Sequence, residues 1–224
     1  MMKKNGFTLA EVLITLAIIG VVATLTLPAL MTNTGEQQAV AGFKKGLNTL
    51  TEAAQMNSAL EGFDYSGLLG STKTTEENGN AVQSLYGLIT SRASVDAKNS
   101  GTGKGWKQNG STSSNYVIYF RDGACLSFID TTTSTQITQL GTASNTYGVK
   151  AVYDINGNKG PNVLSNCNKS TSGNSGKDAT QSGTGTLADF CNKTNRVIKD
   201  QFGVVLSGNR AIPNGPAARW TAEQ

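Results

Sequence analysis

Apolar residues dominate the chain from Phe7 to Leu30, FTLAEVLITLAIIGVVATLTLPAL, and one charge, Glu11, breaks the run. Crossing a bilayer core takes about 20 apolar residues of helix, so the stretch is long enough to span. A short polar break follows at Thr32 to Gly35, and then Val40, Phe43, Leu47, Leu50 and Ala54 recur at alternating spacings of three and four. That is one face of an amphipathic helix. The pattern predicts a single long helix from about residue 8 to about residue 61, bent or loosened near Pro28 and Gly35. Its second half would lay the Val40/Phe43/Leu47/Leu50 face on a globular head.

Beyond the helix the periodicity changes. Ala81 to Ser94 reads as a short helix with Val82, Leu85, Leu88 and Ile89 inward, and the Gly/Ser/Asn/Lys stretch 96–115 reads as an exposed loop. Tyr116 to Arg121 and Ala124 to Asp130 flank Asp122-Gly123, which signals a hairpin with a type I′ turn. The Thr-rich segment 131–146 reads as a surface loop, Tyr147 to Ile155 as a third strand and Phe202 to Leu206 as a fourth, with Arg210 to Ile212 pairing beside it. The predicted fold class is α+β, one long N-terminal helix packed on a small antiparallel sheet.

The start of the chain, MMKKNG, narrows the reading of the apolar run. A secretory signal peptide would carry a shorter apolar stretch ending in a small-x-small cleavage site, and would leave Glu11 without a role. An ordinary single-pass anchor explains the length and the lysines but not the carboxylate, which is costly in a membrane and usually functional. A prepilin signal, cut before the apolar run rather than after it, accounts for all three features. Lys3-Lys4-Asn5-Gly6-Phe7-Thr8-Leu9-Ala10-Glu11 resembles the N-terminus of type IV pilins and type II secretion pseudopilins. The resemblance is close over about the first 30 residues and implies a pilin-like fold. It also implies cleavage by a prepilin peptidase after Gly6 and methylation of the new terminus at Phe7. Glu11 becomes the fifth mature residue and Pro28 the twenty-second, both assembly positions in that family. The implied organisation is a leader at 1–6, a transmembrane and filament-core helix segment at 7–30, and a head at 31–224 that includes the rest of the helix. The implied partners are the peptidase, other pilin or pseudopilin subunits, and an inner-membrane assembly platform.

Electrostatics fits that resemblance. An ionised, unpaired Glu11 in hydrocarbon is costly, and the new α-amino group of a neighbouring Phe7 would relieve the cost and set register. The alternative for Glu11 is a position near the interface, where it snorkels. Lys3 and Lys4 are the basic residues before the span, and Lys44 and Lys45 come well after it. Positive residues stay cytoplasmic, so the expected topology is single-pass through the bacterial cytoplasmic membrane, with the N-terminus inside and the head in an oxidising space.

Composition agrees with an exported body. The charged fraction is 15%, histidine is absent, and the net charge of +4 drops to +2 when Lys3 and Lys4 leave with the leader. So small an average argues against nucleic acid as a partner. Three cysteines, Cys125, Cys167 and Cys191, allow one disulfide. Cys167–Cys191 is favoured because both lie in a polar, turn-rich stretch without core residues, while Cys125 sits in the apolar run ACLSFI.

A second resemblance lies in the head. Asp154-Ile155-Asn156-Gly157-Asn158-Lys159-Gly160-Pro161-Asn162 is similar to a D-x-N-G-x-x-G-P-N stretch of pseudopilin-like proteins, and Lys199-Asp200-Gln201-Phe202 is similar to the segment that follows it there. The intervening stretch carries Cys167 and Cys191. Major secretion pseudopilins hold Ca2+ in a nearby loop, and Asp154, Asn156 and Asp200 offer the oxygen ligands that Ca2+ takes. The competing reading is a turn built on Asn156-Gly157 and capped by Asp154. No cofactor is otherwise implied.

Catalysis finds no support in the sequence. There is no histidine to act as base, no G-x-S-x-G and no phosphate loop, and the acidic residues are scattered. Trp106 and Trp220 lie in Gly-rich or terminal stretches and carry no assigned ligand. The leading expectation is a structural, non-enzymatic filament subunit. Two others remain. A DNA-binding pilin of an uptake machine would need basic residues such as Lys98, Lys104, Lys107, Lys150, Lys159 and Lys199 to converge. A membrane-anchored domain of other function would need a deep pocket.

Overall fold

Helix α1 runs from Leu9 to Glu61 in the computed structural model. The structure describes residues 6–68, 83–108, 110–129, 135–136, 147–167, 191 and 196–224, with backbone alone at 28–33, 135–136 and 147. The backbone is assigned as helix straight through the polar segment at 32–35, because that segment contains no residue that stops a helix outright. Gly62, at φ 77°, ends α1 in the left-handed conformation that glycine adopts at helix C-termini. By contact pattern the chain divides into two units, Met1–Gln38 and Ala39–Gln224.

In the first unit the large apolar side chains from Leu9 to Leu27 are exposed on every side of the helix. This 19-residue stretch is long and apolar enough to cross a membrane.

The second unit is an α+β head. Its sheet has the order β1 (Gly101–Thr102), β4 (Tyr116–Tyr119), β5 (Cys125–Phe128), β7 (Tyr147–Asp154), β8 (Gln201–Ser207), β9 (Arg210–Pro213), with β6 (Thr135–Gln136) also pairing β7. All of these pairings are antiparallel. A separate ribbon joins β2 (Lys107–Gln108) to β3 (Ser111–Thr112). Helix α2 (Leu85–Arg92) is capped by Ser84, whose Oγ accepts from Gly87 N–H at 2.9 Å, and buries Leu85, Leu88 and Ile89 as the periodicity predicts. Val82 lies outside the described residues. Helix α3 (Pro216–Glu223) follows β9 and was not anticipated, although Pro216 in its first turn is a start signal.

One sheet face, carrying Ile118, Leu126, Phe128, Tyr153, Phe202, Val204 and Leu206, builds the main core with α1. The buried stripe of α1 is Ala39, Phe43, Gly46, Leu50, Ala53, Ala54 and Asn57, so Val40 and Leu47 sit at its margin rather than its centre. The ring of Phe43 stacks on Phe202 at 4.3 Å between centroids. Small residues set this stripe because the sheet comes close. A Cβ at Gly46 would stand 2.3 Å from the Tyr153 ring. Gly46→Ala is therefore expected to lower stability by about 1–3 kcal/mol through overpacking, although an exposed helical Gly→Ala gains up to about 1 kcal/mol. Urea unfolding of the full chain in detergent checks the sign. Gly35→Ala, whose added methyl meets nothing within 4 Å, is the control expected to be neutral or stabilising.

The hairpin at Asp122-Gly123 forms, with a different turn from the one expected. Gly123 N–H donates to Phe120 O at 3.1 Å, so Arg121 and Asp122 are the central residues, and Gly123 follows in the left-handed region at φ 97°. A type I′ turn needs positive φ at both central positions, and Gly123 supplies it only after them. Asp122 instead accepts from Ala124 N–H and pairs with Lys45 of α1 at 2.8 Å.

The stretch 96–115 is not the exposed loop expected from its composition. It contributes β1, β2 and β3, and folds Trp106, fully buried, against Val117 and Cys125 on the second face of the sheet. At the opposite edge, β9 joins β8 through a two-residue loop. That register turns the backbone of Ala211 and Pro213 away from β8. Ala211 N–H donates to Thr51 Oγ1 at 3.1 Å, and Pro213 has no N–H to present.

Candidate functional site

Two places carry the residues singled out from sequence. At the start of α1, Thr8 and Glu11 form a reciprocal cap. Thr8 N–H donates to Glu11 Oε2 at 2.8 Å, Thr8 Oγ1 donates to the same oxygen at 2.9 Å, and Glu11 N–H donates to Thr8 Oγ1 at 3.3 Å. This is the capping box of a Thr-x-x-Glu sequence, two orphan N–H groups satisfied by two side chains. Thr8 was missed in the sequence reading, although the spacing Thr8-Leu9-Ala10-Glu11 is itself the signal. Gly6 and Phe7 are exposed just before the helix, with Phe7 at 89%. Pro28 is part of α1, and its side chain is outside the described residues.

The second place is the turn after β7. Asp154, fully buried, accepts from Asn156 N–H at 3.1 Å and Gly157 N–H at 3.0 Å on Oδ1. Its Oδ2 accepts from Trp106 Nε1 and Gln201 Nε2, each at 2.9 Å. Burial pushes its carboxyl up to about 6, against the opposing pull of the Gln201 and Trp106 hydrogen bonds. Asp200 receives Asn162 N–H at 2.6 Å and Val163 N–H at 2.8 Å, and its carbonyl accepts from Ile155 N–H at 2.9 Å. Asp154, Asn156 and Asp200 are thus brought to one turn, which also contains a cis Gly160–Pro161 bond and Asn162 at φ 54°. N–H donors already account for each oxygen of both carboxylates, the arrangement of a turn clamp. Among the described residues no group of three or more His, Cys, Asp or Glu gathers to hold a metal ion.

Gly157 shows why the turn needs glycine. Its φ is +65°, and an added Cβ would stand 2.6 Å from Gly123 O in the β4–β5 hairpin. Gly157→Ala is expected to destabilise the head by about 1–3 kcal/mol, read as a lower urea midpoint. Unchanged stability would mean that the two turns are not in contact.

Cys167 and Cys191 are joined in a disulfide, while Cys125 is a buried free thiol whose pKa burial pushes up. Trp220 is not bare either. Arg196 lies 4.2 Å over its ring. An open groove of about 670 Å³, lined among others by Asp96, Asn99, Lys104, Tyr119, Arg121 and Asn158, runs beside the turn.

What decides the class is the N-terminal segment, in which a basic start, exposed Gly6 and Phe7, a capped Glu11 and an exposed apolar helix follow one another. The chain carries a prokaryotic N-terminal methylation motif, matched over residues 1–27. The methylation motif is the signal of type IV pilins and pseudopilins, and it places Gly6, Phe7 and Glu11 within its bounds and Pro28 just beyond them. With the α+β fold and a helix apolar enough to span, it supports a structural, membrane-anchored protein of the pilin-like class. No curated protein and no solved structure matches the chain.

Proposed function

We propose that this chain is a subunit of a type IV pilus or a type II secretion pseudopilus, cut after Gly6, methylated at Phe7 and assembled through α1. The methylation motif at residues 1–27 carries this reading. The exposed apolar surface from Leu9 to Leu27 supports it, because that surface needs either lipid or neighbouring helices around it. In this reading prepilin peptidase acts on the cytoplasmic side of the membrane and the head lies outside. Glu11 leaves its local cap to face the α-amino group of a neighbouring subunit's Phe7, a pairing that favours both ionised forms. The turn motif Asp154 to Asn162 favours a pseudopilin or minor subunit over a major pilin. Protein N–H groups hold both carboxylates of that turn.

Intact-mass and N-terminal peptide analysis of the protein from membranes, with and without prepilin peptidase, tests the proposal. The expected product begins at methylated Phe7 only when the peptidase is present. A chain that retains Met1 or Met2, or one cut beyond Leu30, would overturn it.

A further inference from the structure

Asn156-Gly157, in the turn after β7, is a reactive pair that the fold holds still. Where glycine follows asparagine, no side chain shields the next backbone nitrogen. That nitrogen can attack the carbonyl carbon of the asparagine side chain. In the folded head the groups this reaction uses are held. Gly157 N–H, the nucleophile, donates to Asp154 Oδ1 at 3.0 Å. Asn156 N–H donates to the same oxygen at 3.1 Å, and Asn156 O accepts from Lys159 N–H at 3.4 Å. Asn156 Nδ2, the leaving group, donates to Gly160 O at 3.4 Å. Gly157 is itself buried, and a Cβ added to it would meet Gly123 O and the Tyr119 ring of the β4–β5 hairpin. Its nitrogen is thus kept from the water that would have to take its proton.

Asp154 restrains this nitrogen rather than activating it. A carboxyl that titrates at about 6 is far too weak a base to remove a peptide proton. Its charge favours the protonated nitrogen that it holds. The surroundings of Asn156 also disfavour the product. Asn156 Oδ1 is buried without a hydrogen-bond partner. A carboxylate in that place would be a charge without a donor, close to Asp154.

We propose that Asn156 is a latent self-modification site, blocked while the turn is closed and released when the turn leaves the β4–β5 hairpin. On release, the Gly157 nitrogen gives up its proton and bonds to Asn156 Cγ. The Cγ–Nδ2 bond breaks, and Nδ2 departs as ammonia. Water then opens the cyclic imide at either carbonyl and leaves aspartate or isoaspartate at position 156. Aspartate sets a carboxylate where Asn156 Oδ1 lies without a donor. Isoaspartate adds a main-chain methylene between the two N–H groups that share Asp154 Oδ1. Either product opposes reclosure, so a long opening of the head leaves a permanent mark. The inference does not depend on filament assembly.

Peptide mapping by mass spectrometry tests it, on the full chain in detergent incubated at pH 8. Conversion at Asn156 is expected to be at least about tenfold slower in the folded parent than in the parent unfolded by guanidinium, the factor that one hydrogen bond to a charged group supplies. Equal rates overturn the proposal, and this comparison needs no variant to fold. Asp154→Ala, checked for folding by circular dichroism, removes the acceptor and is expected to raise the rate toward the unfolded value. Leu50→Ala weakens the core under α1, away from the turn, and is expected to convert Asn156 at the parent's rate. Equal acceleration by both variants would tie conversion to global unfolding and overturn the assignment to this turn.

Discussion

Trp106→Ala is expected to cost about 3–5 kcal/mol of head stability, the range for removing a large aromatic side chain from a packed interior. Trp106 is fully buried against Val117 and Cys125 and donates its indole N–H to Asp154 Oδ2 at 2.9 Å. Trp106→Phe separates the two contributions. It keeps most of the volume and removes the donor, which is expected to cost about 1–3 kcal/mol because a buried carboxylate loses a partner. The second loss depends on pH. The folded carboxyl of Asp154 titrates near 6 against an ordinary 3.8, so the folded state takes up a proton before the unfolded chain does as pH falls. This group therefore adds stability as pH drops from above 6 toward 4, and holding it ionised at neutral pH is a cost that the indole N–H reduces. Without that donor the folded value rises further, and the deficit of Trp106→Phe is expected to be larger at pH 8 than at pH 5. Urea unfolding at the two pH values reads it. A pH-independent deficit would mean that Trp106 acts by packing alone.

Glu11→Ala is expected to leave cleavage largely intact and to reduce incorporation into sheared filaments at least about tenfold. The variant removes the acceptor of the Thr8 cap at the helix start, and also the carboxylate proposed to meet a neighbouring Phe7 amine. Glu11→Gln tells the two apart, because its amide oxygen still accepts from Thr8 N–H but carries no charge. Failure of both variants to assemble, with normal processed mass, assigns the defect to charge. Assembly restored by glutamine assigns it to the cap, and normal assembly of the alanine variant removes Glu11 from the mechanism.

The elements legible in the sequence are those in which one signal acts alone. The span of α1 matches its expected limits almost to the residue, because nothing competes with its periodicity before Gly62. The β4–β5 hairpin and strands β7 and β8 were also legible, since β-branched and aromatic residues run through them, while β9, Arg210–Pro213, carried only a weak signal. Composition misled at 96–115. Glycine, serine and asparagine there serve tight turns, including Gly103, Gly105 and Gly110 at positive φ, and one indole supplies the burial that pins the segment down. A lone tryptophan between such turns was the readable clue. In the buried stripe, Gly46 outranks Leu47 because the approach of Tyr153 decides the packing, and periodicity cannot report the size of a partner on another element. Of the site, Gly6, Phe7 and Glu11 fall inside a matched motif. The meeting of Trp106, Asp154 and Gln201 depends on long-range pairing that no local pattern records.

The blunted β9 edge has a consequence for the proposed filament. Many copies of one head held side by side reach high effective concentrations, and an open strand would then invite them to zip together in any register. With Ala211 N–H already taken by Thr51 and Pro213 offering none, that rim of the sheet has no donor left to begin such a zipper. In the filament proposed above, this edge would offer a neighbouring head no strand to pair with, and the spacing of copies would fall to their helices.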